Sequence, residues 1–147
     1  MNYCLACHKK LEDGDINYHQ NCLTAFWQED TPVLKLEYEM SQIEALAKEN
    51  IAQRIIVTGV QPKLSLGFTQ ENAQKRLTIV GALNGRYILK PPFHMYPQIP
   101  EIEALSMLLA KACGIATVPF LLIPLKDGAL AYLTKRIDRT ANNVKYP

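Results

Sequence analysis

Thr58-Gly59-Val60-Gln61-Pro62-Lys63-Leu64-Ser65-Leu66 and, downstream, Tyr87-Ile88-Leu89-Lys90-Pro91-Pro92 are the stretches on which the reading of this chain turns. Gly59 permits a sharp turn and lets backbone N–H groups face an oxyanion with no Cβ in the way, and Lys63 adds a positive charge at the same end. A second lysine, Lys90, closes an apolar strand-like run directly before two prolines, where the chain must leave a sheet. Together these residues have the character of a phosphate cradle. The loop lacks the second glycine and the Gly-Lys-Ser/Thr ending of a Walker loop, and it lacks the three glycines of ordinary protein-kinase loops. A tight turn between two strands is the ordinary alternative for one glycine in such a place.

Working outward, the residues on either side alternate between strand and helix patterns. Residues 55–57, 64–68 and 77–82 are rich in β-formers, and Asn84-Gly85 between 77–83 and 86–90 predicts a hairpin closed by a type I′ turn. Pro100 then opens a helix over 101–113, with Ile102, Leu105, Leu108, Leu109 and Ala112 expected toward the core and Gly114 as its stop. A second hairpin is expected from 120–125 and 129–136 around Asp127-Gly128. Upstream, 41–52 places Ile43, Leu46, Ala47 and Ile51 at helical spacing behind a Ser41 cap, and 31–40 reads as a linker. Strands, one helix and strands again predict an α+β fold, an antiparallel sheet with a helix on one face.

Glu103 lies in the first turn of the predicted helix after Lys90. A strand lysine oriented by a helix glutamate is how kinases hold the α and β phosphates of a nucleotide. The ordinary alternative is a solvated strand-end lysine and a carboxylate favoured at a helix N-terminus.

Four cysteine and histidine positions stand apart at the other end of the chain. Cys4-x2-Cys7 and His19-x2-Cys22 supply three thiols and an imidazole on two short knuckles, the ligand set of a closed tetrahedral Zn²⁺ site with a structural role. His8 is a weaker alternative to His19, and a cluster of buried thiols is the competing explanation. A segment this small is expected to fold only with its metal. Phe26 and Trp27 would cap a mini-core of this segment, and Cys113 is expected to be an ordinary buried thiol.

Composition bounds the rest. The chain has 147 residues, 48% hydrophobic and 20% charged, and a net charge of +2 from 16 basic and 14 acidic residues. That balance gives no bulk electrostatic reason for direct nucleic-acid binding. No apolar run is long enough to span a bilayer, no signal peptide is evident at Met1, and no membrane partner is expected. With three of its four cysteines in a metal-like spacing within the first 22 residues, a reducing, cytoplasmic location is expected.

The blocks Gly59 to Leu66, Ile88-Leu89-Lys90-Pro91, Glu103-Ala104-Leu105 through Leu108-Leu109-Ala110-Lys111 to Gly114-Ile115 and Val118-Pro119, and Lys135-Arg136-Ile137-Asp138-Arg139 resemble, in order, the N-terminal lobe of HipA-type serine/threonine kinases. The shorter HipT-like members are the most similar. The resemblance spans about residues 54–140, and short cysteine knuckles ahead of the loop also occur in HipT-like proteins. It implies three segments: a zinc-knuckle segment over 1–30, a linker and short helix over 31–53, and a kinase N-lobe over 54–147 that ends just after the hinge. It further implies that Thr58, Gly59, Val60, Gln61, Pro62 and Lys63 cover the phosphates of ATP, that Lys90 contacts them and that Glu103 orients Lys90. Lys135, Arg136 and Ile137 would be the hinge that meets adenine, with Asp138 near the ribose. Thr58 is the one hydroxyl able to take the place of the family's autophosphorylated serine.

In such kinases the catalytic aspartate and the Mg²⁺-binding aspartate lie in the C-terminal lobe, so no catalytic residue is expected in this chain and the chain alone is expected to be inactive. The implied activity is that of a bacterial toxin–antitoxin toxin with an aminoacyl-tRNA synthetase as substrate, a HipB-like DNA-binding antitoxin as partner, and a HipS-like small protein as a further partner. The rival reading is a truncated or split regulatory module that docks on a separate lobe or antitoxin.

Overall fold

Strand-forming runs and two-residue alternation produce β1 (Leu64–Glu71), β2 (Gln74–Val80), β3 (Tyr87–Lys90), β4 (Phe120–Pro124) and β5 (Leu130–Lys135), with α1 (Gln20–Trp27), α2 (Met40–Ala52) and α3 (Ile99–Ala112) around them. The computed structural model describes residues 3–28, 31–34, 36–52, 62–71, 74–80, 85–93 and 95–139. The five strands form one sheet in the order β2-β1-β3-β5-β4, every neighbour antiparallel. The α+β architecture with one packed helix is as the sequence predicts, and so is the β4–β5 hairpin. The expected strand over 55–57 lies outside the described residues.

One expected hairpin is not formed. β2 and β3 do not pair; they flank β1 on opposite sides, with Ser65 opposite Val80 on one side and Ile88 on the other. Asn84 lies outside the described residues, but Gly85 shows why a glycine is needed. A Cβ there would lie 1.9 Å from the Ser65 Oγ and 2.9 Å from the Leu66 carbonyl oxygen, so the backbone passes against β1 where no side chain fits. Arg86 N–H then donates to Leu66 O at 3.0 Å and starts the β3 pairing. Among the described glycines, positive φ falls at Gly14, Gly114 and Gly128, not at Gly85.

Residues 31–40 are not a linker. Val33 N–H donates to Lys75 O of β2 at 2.9 Å, and Leu36 N–H donates to Pro124 O of β4 at 3.5 Å. Three residues reach at most about 11 Å, so the two edges of the sheet must curl toward each other under this strap. Leu36 is fully buried beneath it. The strap continues through Tyr38 O, which accepts from Lys126 N–H at 3.0 Å, into α2. Ser41 lies inside that helix, not at its cap. The first-turn N–H of Met40 is instead held by the Asp127 carboxylate at 2.9 Å, from the β4–β5 turn, and Ile43 is buried.

The sheet is covered on both faces. Its register sets Leu66, Tyr87 and Lys135 on one face and Ser65, Ile88 and Thr134 on the other. On the first, Phe26 and Trp27 of α1 pack on Tyr87 at ring-centroid distances of 5.9 and 5.2 Å, and Trp27 meets Phe68 at 5.9 Å. These aromatics therefore cap no separate mini-core; Cys4, Leu5, Tyr18, Leu23, Phe26 and Trp27 join the sheet in one hydrophobic core. Leu122 N–H donates to Leu5 O at 2.9 Å, and Tyr18 Oη–H donates to Leu122 O at 2.7 Å, which fixes the first segment along the β4 edge.

α3 covers the other face, turned from the expected orientation. Pro100 and Ala104 are buried, and Met107 and Leu108 pack on the core. Ile102, Leu105 and Leu109, expected inward, are 59%, 53% and 58% exposed, and Ala112 is exposed too. A helix with apolar residues nearly all round does not specify its inward face from periodicity alone. Cys113, expected to be buried, is exposed at its C-terminus. Among the described residues, no helix is long and apolar enough to cross a membrane.

Candidate functional site

The first of two sites is built almost wholly from local structure. Tyr3 bridges to Lys10, Cys4 N–H donates to Lys9 O at 2.8 Å and His8 N–H to Cys4 O at 2.9 Å, which folds Cys4-x2-Cys7 into a knuckle. Ala6 N–H points at Cys4 Sγ, 3.5 Å away. His19 is the N-cap residue of α1, and its carbonyl accepts from Cys22 N–H and Leu23 N–H, so Cys22 sits in the first helical turn beside the imidazole.

The ligand atoms of Cys4, Cys7, His19 and Cys22 all lie within 4.8 Å of one another. His19 Nδ1 is 3.4 Å from Cys7 Sγ and 3.8 Å from Cys22 Sγ. Zn–S bonds of about 2.3 Å in a tetrahedron set ligand atoms about 3.7 Å apart, so the donor set fits such an ion. His19 Nε2–H donates to Lys10 O at 2.9 Å, which assigns the proton to Nε2 and leaves the Nδ1 lone pair toward the thiols. His8 takes no part; its ring stacks on Tyr3 at 5.5 Å.

The thiols differ in their ionisation. Burial pushes Cys4 up, but hydrogen bonds from the backbone of Ala6, His19 and Cys7 outweigh it and bring the thiol down to about 7. Burial, then sharing with Cys7 and the Cys4 charge, pushes Cys22 up to about 12. One thiolate forming readily at Cys4 beside a Cys22 thiol that resists a second charge is what a shared cation relieves. These four residues could hold a metal ion such as zinc.

The second site is assembled by the sheet. Lys90, the last residue of β3, forms an ion pair with Glu103 in the first turns of α3; their side chains are 21% and 18% exposed. Lys90 Nζ also stands 5.3 Å from the ring centroid of Tyr132, its cross-strand partner on β5. Burial, and secondarily the Glu103 charge, raise the Tyr132 phenol above its ordinary range, so the ring stays neutral under the ammonium. Sequence reasoning missed Tyr132, which lies inside the strand expected over 129–136; nothing in the local pattern says which lysine it would meet across the sheet. Leu64 faces Leu89 in the β1–β3 register, and Lys63 directly precedes that first paired residue of β1.

The remaining predicted residues divide. Thr58, Gly59, Val60 and Gln61 lie outside the described residues. Pro62 and Lys63 are half-buried just before β1. Lys135 ends β5, and its side chain turns to the α1 face, where Nζ donates to Gln28 Oε1 at 3.1 Å. Its N–H goes to Pro119 O and that of Arg136 to Arg86 O, at 3.2 and 2.9 Å. Arg136 grips Asp138 through Nε and NH2 at 2.8 and 2.6 Å. That side-chain hydrogen bond is the main cause holding the Asp138 carboxyl below the usual carboxylate range. Ile137 is 72% exposed.

A family profile described as the HipA-like C-terminal domain matches residues 55–146. No curated protein matches the chain significantly. The match takes in β1 through β5, α3 and the Lys90–Glu103 pair, and it covers more than half of the 147 residues. The chain belongs to the HipA-like family and is a toxin-related protein of that family.

Proposed function

We propose that residues 54–147 are the nucleotide-side lobe of a HipA-like serine/threonine kinase, the toxin of a toxin–antitoxin pair, and that residues 1–30 carry a structural Zn²⁺. Family membership supports the general reading. The observation that carries the lobe assignment is the Lys90–Glu103 pair: a half-buried ammonium at a strand end, held by a helix carboxylate. Lys63, which directly precedes β1, supplies in this reading a second cation for the phosphates beside Lys90.

In this reading Lys90 contacts the α and β phosphates and Glu103 holds its ammonium aimed at them. Thr58 to Lys63 cover the phosphates, and Thr58 is the candidate autophosphorylated hydroxyl. At the hinge, Lys135 N–H and Arg136 N–H are already engaged, so the adenine edge would be met by Ile137 N–H and Lys135 C=O, with Asp138 beside the ribose. Mg²⁺ and the catalytic aspartate belong to the opposing lobe. The protein substrate would be an aminoacyl-tRNA synthetase, and the partners a HipB-like antitoxin and a HipS-like small protein. The test is phosphoryl transfer from ATP with both lobes present. Lys90→Ala should lower kcat/KM by about a hundredfold or more, and unchanged transfer would remove the assignment.

The zinc reading has its own test. Protein purified without chelators should carry one Zn²⁺ per chain, and any one of Cys4→Ser, Cys7→Ser or Cys22→Ser should abolish it; elemental analysis showing no zinc in the native chain would refute it.

A second reading draws on the solvent-facing stripe of Ile102, Leu105 and Leu109 on α3. Exposed apolar surface of this kind suits a module that docks on a separate lobe or antitoxin. Sedimentation tests the lobe assignment: oligomers, or a stable complex with an added catalytic lobe, support it, and a strictly monomeric chain that ignores the added lobe counts against it and favours an independent binding module.

A further inference from the structure

Metal loading and the hinge are joined by one short rigid element. We infer that α1 is a strut through which occupancy of the Cys/His cluster sets the order of the hinge, with Gln28 and Phe26 as its positioning residues.

The two ends of α1 have different attachments. At its start His19 and Cys22 are half of the cluster, and the helix begins there because the His19 carbonyl accepts its first N–H groups. At its end Phe26 stacks on Tyr87, and Trp27 meets the same ring edge-on. Gln28 closes the helix in a left-handed conformation, φ 59°, with its N–H returned to Thr24 O. That cap aims its side-chain oxygen at Lys135 Nζ, 3.1 Å away, while the same ammonium lies 5.7 Å from the Phe26 ring centroid. Tyr87 and Lys135 are directly opposite each other on β3 and β5. The helix end thus braces the last rung of the sheet before the hinge.

A second route runs beside the first. A cavity of about 240 Å³ is lined by Cys7, Cys22 and Phe26 on one side and by Lys111, Val118 and Pro119 on the other. Pro119 O is the acceptor for the Lys135 N–H. The wall of the cluster and the segment that fixes the hinge strand therefore face each other across one small space.

An eight-residue helix is too short to hold itself in water, so its position is set by its attachments. Removing the ion takes away the tie between the start of α1 and the first knuckle, and leaves the Tyr18 anchor to Leu122 and the packing of Leu23, Phe26 and Trp27 to hold the helix. The loosened element should then free Gln28 and Phe26, and with them the hinge amides. The functional consequence, a nucleotide affinity that depends on zinc, rests on the nucleotide-side reading above; the mechanical coupling does not.

The experiment is amide hydrogen exchange on the full chain, loaded with Zn²⁺ and after chelation, with Trp27 fluorescence followed in parallel. The chain has a single tryptophan, so its emission reports α1 docking alone. Chelation should raise exchange at Lys135 and Arg136 by roughly tenfold and red-shift Trp27, while the β1–β2 amides change far less. Gln28→Ala should keep its zinc and its Trp27 emission yet show raised hinge exchange in the loaded state, and Gln28→Glu, which still accepts from Lys135, should restore protection. Exchange confined to residues 4–28, or a uniform loss across all five strands, would overturn the coupling. Absence of any zinc binding would overturn it along with the metal reading, whereas directed coupling without ATP binding would leave it standing and remove only the nucleotide reading.

Discussion

The Cys/His cluster belongs to the segment fixed along the β4 edge and the Lys90–Glu103 pair joins the sheet to α3, and the two were reached by opposite routes. The cluster is local: its four ligands fall between Cys4 and Cys22, and two knuckles of backbone hydrogen bonds orient them before the sheet contributes anything. The pair is a product of the whole fold, since strand register must bring β3 between β1 and β5 and α3 must pack at one angle for a lysine and a glutamate thirteen positions apart to meet. A local site tolerates changes elsewhere and fails when one ligand is lost. A site made by the fold should weaken by degrees.

The largest effect that separates them is at the cluster. Cys4→Ser should release the metal and cost about 3 kcal/mol or more, because metal binding and the folding of the first segment are linked and that segment shares the sheet's core. Calorimetry of loaded and chelated protein measures it, and the variant should lie near the chelated form. The sign with pH follows from the ligands: protons compete for the thiolates, so zinc should be lost as pH falls. A Cys4→Ser protein as stable as the native would make the cluster incidental.

Next is the pair. Glu103→Ala strands a half-buried ammonium beside Tyr132 and should destabilise by about 2 kcal/mol, while the double variant with Lys90→Met should recover part of that loss. Denaturant unfolding of the four proteins of this cycle gives the coupling. A Glu103→Ala cost near zero would mean that the ion pair is a solvated surface contact.

Gly85 tests the register on which the pair depends. A methyl group at this position collides with Ser65 and the Leu66 backbone, so Gly85→Ala should cost about 2 kcal/mol and loosen Lys90 together with β3, leaving zinc stoichiometry unchanged. A neutral substitution would remove the crossing of β1 from the account.

How far each region could be read beforehand follows from the same contrast. Ligand spacing is a sequence property, so Cys4, Cys7, His19 and Cys22 were legible, as were β1, the β4–β5 hairpin and the stop of α3 at Gly114, each set by neighbours in the chain. The Asn84-Gly85 hairpin was misread because a turn glycine and a close-approach glycine look alike in sequence; only the β1 backbone beneath Gly85 tells them apart. The inward face of α3 was misread because Ile102, Leu105 and Leu109 are as apolar as the residues that are buried. The strap over 33–36 carries no pattern of its own, since its bonds are made by backbone groups to strands far along the chain. Lys90 and Glu103 were found through kinship of pattern, and Tyr132, which completes their setting, was not found at all.

The smallest expected effect concerns the support of α2. Asp127 accepts from Met40 N–H and Ala129 N–H, and the Met40 bond is the main cause holding its carboxyl below the usual value. A depressed folded value means that this contribution is present above the unfolded carboxylate range and is lost as pH falls through the folded value. Asp127→Ala should cost less than about 1 kcal/mol at neutral pH and nothing in strong acid, as thermal melts across pH would show. A cost unchanged in acid would point to packing.

The central claim is that the sheet end at Lys90 is the phosphate side of a nucleotide site, and amide chemical-shift mapping with ATP tests it most directly. The account predicts weak, saturable shifts at Lys63, Lys90, Glu103 and Ile137, absent in Lys90→Ala, with the cluster residues shifting far less. No shifts at millimolar ATP, or the same shifts in Lys90→Ala, would contradict it.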